Sequence, residues 1–144
     1  MPDVANNIKS AQNAILGYGD LSAAAGLVSR APIVGTAGLT ACIATVTENT
    51  KISLIAIKAI SSAVGAPTAA QLVGLWVSNG TTARLRAEIL VDVVTPSTTV
   101  ASFERGTIYD DFVLPIGSSL WVSTTITTTA ATTALLVVAH GAGM

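Results

Sequence analysis

The 144-residue chain has a net charge of −1, is 51% hydrophobic and only 10% charged, against roughly 25% charged in ordinary soluble domains. Its length bounds it to one domain with a real core, and its near-neutrality removes any broad electrostatic case for nucleic acid or an anionic membrane surface as a partner. So few charges cannot coat a lone subunit, so much of the surface is expected to be covered by copies of itself or by another protein. A spanning helix is excluded because Lys58, Arg84, Arg86, Glu88 and Asp92 interrupt the apolar segments before they reach the roughly 18 residues required. Aromatics, at 4%, are too few for the girdles of a transmembrane barrel. The single cysteine, Cys42, allows no internal disulfide, and its surroundings, TACIATV, mark it as a buried small apolar residue rather than a nucleophile. The start MPDVANN has no basic region followed by an apolar core, so synthesis in the cytoplasm is expected.

In chain order, Val4, Ile8, Ala11 and Ile15 are spaced as one stripe of a short helix, with Asp3 placed to cap it. Gly17-Tyr18-Gly19-Asp20 should break that helix. The small-residue segment after it is punctuated by Gly26, Pro32, Gly35 and Gly38, too often for a long element. Residues 1–38 therefore read as an N-terminal arm, a short helix plus an extended segment, that orders against a neighbour. Residues 39–144 read as the folded domain.

From Leu39 the pattern becomes that of strands. Residues 39–47 and 51–61 are β-branched and alternating, and residues 62–68 form a loop containing Gly65 and Pro67. Asn79-Gly80 between two apolar runs predicts a hairpin with a two-residue type I′ turn, because both residues tolerate positive φ. In that register Leu72, Gly74, Trp76, Ala83, Leu85, Ala87 and Ile89 share a core face. Val73, Leu75 and Val77 then lie beside Arg84, Arg86 and Glu88, a mixed face suited to contact with another chain. Thr95-Pro96-Ser97 turns the chain, residues 98–104 are a strand, Gly106 opens a bend, and residues 108–114, 118–127 and 133–140 are further strands. The sum is an all-β fold, an antiparallel β-sandwich or jelly roll of about eight strands.

No constellation carries chemistry. The only histidine, His140, is near the end of the chain, and no Gly-x-Ser-x-Gly elbow or phosphate loop occurs. Asp110 and Asp111 are adjacent in a predicted strand, so they point to opposite faces and cannot share an ion without a bulge. Trp76 and Trp121 read as core fillers, with a sugar platform as the rival reading. No catalytic, cofactor-binding or metal-ligating residue is assigned.

Four pieces, TKISLIAIKA (50–59), LWVSNGTTARLRAEILVDVVTPSTTVASFE (75–104), FVLPIGSSLWVST (112–124) and LLVVAHGAG (135–143), occur in an order that resembles a group of small structural proteins of tailed bacteriophages. The block VTPSTTVASFE followed by VLPIGSSL is the most specific part. The resemblance covers about two thirds of the chain, omits the arm, and carries over no binding residues. It implies a β-sandwich virion protein of the capsid decoration or cement type, made in the host cytoplasm and held on the capsid surface. Its expected partners are itself, as a homotrimer, and the major capsid protein. The residues expected at oligomer or capsid contacts are Val4, Ile8, Ile15, Val73, Leu75, Arg84 and Arg86. The alternative is a glycan-binding module of a head fibre or of a tail spike or fibre, which needs an indole at the surface.

Overall fold

Period-two alternation and β-branched residues commit most of the chain to strands. The computed structural model describes residues 14–27, 29–30, 32–59, 70–93, 99, 104–108, 112–129 and 134–143. Within them run β1 (Ala14–Leu21), β2 (Thr40–Ile43), β3 (Thr50–Ala59), β4 (Gln71–Ser78), β5 (Ala83–Val91), β6 (Glu104–Ile108), β7 (Phe112–Leu114), β8 (Ser119–Thr124) and β9 (Leu135–Gly143). They form two antiparallel sheets. Sheet one runs β1-β9-β3-β6, with β7 sharing the β6 edge of β3, and sheet two runs β2-β8-β4-β5. The pairing is nested: β1 with β9, β2 with β8, β3 with β7 and β6, β4 with β5. Two cross-pairings, β9 with β3 and β8 with β4, complete the sheets. The expectation of an all-β, antiparallel fold is met.

One apolar cluster joins the facing sides of both sheets. Ile52, Ile55, Ile57, Val137 and Ala139 come from sheet one, and Val73, Leu75, Val91, Leu120 and Val122 from sheet two. At the β1 corner the two layers are in close contact. A Cβ on Gly17 would run into the backbone carbonyl of Cys42, and one on Gly19 into the side chain of Val122. These two glycines therefore do not break the chain here. They let an edge strand lie against the second sheet where any side chain would hold the layers apart.

Several expectations are corrected. Ile15 and Gly17 to Asp20 belong to β1, paired with β9, not to a helix and its break; the proposed stripe partners Val4, Ile8 and Ala11 lie outside the described residues. Of the predicted arm, residues 1–38, β1 pairs with β9 and Leu27 fills a second cluster with Trp76 and Ala83, so these parts pack on their own domain. Gly106, the expected bend, sits inside β6 opposite Ala56. Gly141 to Gly143 extend β9 instead of trailing out. The β4–β5 loop is four residues long, Ser78 pairing with Ala83, and Gly80 lacks the positive φ that a type I′ turn demands.

A bulge between Leu75 and Trp76 then shifts the register, so Leu75 faces Ala87 and Gly74 faces Glu88. The longer loop alone would have kept the predicted faces. The bulge moves Ala87 and Ile89 onto the side of Val73 and Leu75, which is the core side. Val73 and Leu75, expected as contact residues, are 3% and 2% exposed and cannot touch another chain in this fold.

The corner contact predicts that Gly17→Ala costs about 1–3 kcal/mol through overpacking. Gly80→Ala, where an added Cβ meets nothing, should stay within about 0.5 kcal/mol of wild type. Urea denaturation midpoints of the two variants measure the difference.

Candidate functional site

The outer face of sheet two carries two large indoles, Trp76 and Trp121, among serines. Gly74, Trp76 and Ser78 of β4 lie opposite Ser123, Trp121 and Ser119 of β8. The Trp76 indole leans along its strand over Gly74 and donates its N–H to Ser123 Oγ at 2.8 Å. A Cβ on residue 74 would fall 2.7 Å from that ring nitrogen. Trp121 donates to Ser119 Oγ at 2.8 Å. Both indole donors are thus occupied by serines of the same sheet face.

The described residues between Ser22 and Leu39 (22–27, 29–30 and 32–39) form a strap across this face. At one end Leu27 N–H donates to the Thr124 carbonyl (2.8 Å) and Thr128 N–H to the Ala24 carbonyl (2.9 Å). There Ala24 N–H also donates to Thr128 Oγ1 at 2.8 Å. At the other end Val34 N–H donates to the Thr81 carbonyl (2.6 Å) and Ala83 N–H to the Pro32 carbonyl (3.0 Å). Between them Leu27 packs on Trp76 and Ala83. Where the strap leaves the sheet, a cleft of about 170 Å³ opens, lined by Leu27, Arg30, Leu72, Trp76, Glu88 and Thr125. Arg30 and Glu88 pair at this cleft. Arg30 is 70% exposed, so the pair adds little stability.

The expected contact residues are not brought together. Ile15 is 51% exposed on β1, at the corner where β1 meets β2. Arg84 and Arg86 are exposed on β5, at the other end of sheet two. There the Arg86 guanidinium lies 4.9 Å from the centre of the Phe112 ring of β7, a cation–π contact that ties the two sheet edges. Val4 and Ile8 lie outside the described residues. Leu27, Arg30, Glu88 and Ser123, which build the cleft, had no motif to mark them.

Trp76 is 2% exposed and Trp121 half-buried, so neither offers the open indole a sugar platform needs. His140, in β9, is half-buried between its ladder partners Ile15 and Leu54. Among the described residues no three His, Cys, Asp or Glu side chains are grouped to hold a metal ion, and no helix is long and apolar enough to cross a membrane. Cys42 is buried, and burial pushes its thiol up from 9.0 to about 12, partly offset by a backbone hydrogen bond at Ala139. Comparison with protein-family models, with curated proteins and with solved structures finds no match to this chain.

The Cys42 thiol sets a pH dependence with a definite sign. Between pH 9.0 and about 12 the unfolded chain sheds a proton that the folded chain keeps, so stability falls as pH rises through that window. Denaturation midpoints on either side of pH 9.0 should drop more for wild type than for Cys42→Ala. Equal drops in both proteins would refute the shift.

Proposed function

We propose that this chain is a structural subunit of a tailed-phage virion, a capsid decoration or cement protein that self-associates as a trimer on the major capsid protein. With that reading goes a finer description of the fold as a jelly roll, β6 and β7 together counting as one strand. The observation that carries the reading is the nested pairing β1·β9, β2·β8, β3·β7/β6, β4·β5. Wrapping such a ribbon on itself generates two Greek keys, an architecture found in viral capsid and lectin domains.

Fold alone does not fix function, and the surface supplies the second support. Ile15, Tyr18, Ile33, Leu90, Val93 and Ile116 are each at least half exposed on a chain that is only 10% charged. Such a surface gains free energy when neighbours cover it, roughly 25 kcal/mol per 1,000 Å² of apolar area before association costs. Summed around a shell, even a small net surplus per subunit resists the pressure of packaged DNA. Ile15, Arg84 and Arg86 remain contact candidates, with Val4 and Ile8 ahead of the first strand. The protein is made in the host cytoplasm and ends on the capsid surface. A glycan-binding role on a fibre or spike has less to draw on, since Trp76 is buried and Trp121 half-buried.

The test combines light scattering of the purified full chain with its addition to bare phage capsids. The expected result is a multimer in solution that binds the shell and raises the temperature at which particles lose DNA. A monomer with no affinity for capsids would overturn the proposal.

A further inference from the structure

The Asn79-Gly80 pair is left without a role once its loop proves longer than a two-residue turn. Asn79 is exposed, and among the described residues no hydrogen bond holds its carboxamide. Gly80 has nothing within 4 Å of where a Cβ would stand. Its amide N–H is held only by a long bond to Ser78 Oγ, 3.3 Å, while the same hydroxyl donates to the Gly80 carbonyl at 3.1 Å. A tight hairpin turn would fix this amide rigidly, whereas the four-residue loop ties neither residue into the β4–β5 ladder.

We propose that Asn79 is a site of spontaneous covalent modification, in which the chain deamidates itself at this loop. This inference does not depend on the proposed function. As the Gly80 amide loses its proton to solvent, its nitrogen bonds to Asn79 Cγ. The Cγ–Nδ2 bond then breaks and the amide nitrogen leaves as ammonia, giving a cyclic imide. Water adds to one of the two imide carbonyls. Opening on the side-chain carbonyl restores the backbone with an aspartate. Opening on the backbone carbonyl gives an isoaspartate, with the chain rerouted through the former side chain and lengthened by one carbon. No oxidant or reductant is required.

The contrast within the molecule is Asn49. Its Oδ1 accepts the Ile116 N–H at 2.9 Å, and the following residue is Thr50, β-branched and 6% exposed, so nucleophile and target are both encumbered. The position of Asn79 gives the change a consequence. Thr81 and Ala83, just beyond it, anchor the strap through Val34 and Pro32, so a lengthened backbone carrying a new carboxylate lies beside that anchor.

The folded full chain is incubated in mildly alkaline buffer and mapped by peptide mass spectrometry with isoaspartate detection. A synthetic peptide of residues 75–84 serves as the unstructured reference. The expected result is conversion at Asn79 at a rate close to the peptide's, as a mixture of aspartate and isoaspartate, with Asn49 intact and the signal abolished in Asn79→Gln. Persistence of Asn79 while the peptide converts would overturn the proposal, because the loop would then be blocking ring closure. Equal conversion at Asn49 would overturn it too.

Discussion

The hydrogen bond from the Trp76 indole to Ser123, made over the bare backbone of Gly74, places a large apolar ring on the side of sheet two that faces away from the core. A ring there cannot be left in water without forfeiting about 1.5–3 kcal/mol of burial. The chain answers with the described residues between Ser22 and Leu39, pinned at both ends by backbone hydrogen bonds and pressing Leu27 onto the indole. The resulting arrangement has three layers over part of its area: sheet one, sheet two and a strap. Because the strap starts directly after β1 and ends at β2, its path also fixes how those two strands reach their different sheets.

Most of the strand content was legible from alternation, since burial of one face of a strand writes a period of two into the sequence. What misled were positions where backbone geometry, not side-chain chemistry, decides. Gly17 and Gly19 look like a helix break because glycine disfavours the helix, yet tertiary contact selects them for a strand, their missing Cβ atoms admitting the Cys42 carbonyl and Val122. In the central hairpin β4 turns Val73 and Leu75, rather than Leu72, Gly74 and Trp76, to the core, while Ala87 and Ile89 of β5 keep the core side expected of them. A bulge at Leu75/Trp76 leaves no compositional trace, and one extra residue moves every later side chain across the sheet. Trp76 was read as core because large aromatics dominate cores. It is buried, but in the smaller cluster beneath the strap. The cleft was not legible at all, since it joins Arg30 to Glu88 and Leu27 to Ser123 across distant stretches of chain.

Cys42 is sealed and neutral, His140 lies between apolar ladder partners, and the Arg30–Glu88 pair is exposed at its arginine. The surface carries apolar side chains on both sheets, from Ile15 and Tyr18 of β1 to Leu90 of β5. No described segment covers these side chains.

The claim on which this account turns is that the strap between Ser22 and Leu39 seals the outer face of sheet two over Trp76. Hydrogen exchange of the two indole N–H groups, followed by NMR, tests it most directly. The account predicts that the Trp76 indole proton exchanges only when the domain opens globally, and more slowly than that of half-buried Trp121. Rapid exchange at Trp76, equal to that at Trp121, would mean that the strap does not cover the face, and would contradict the account.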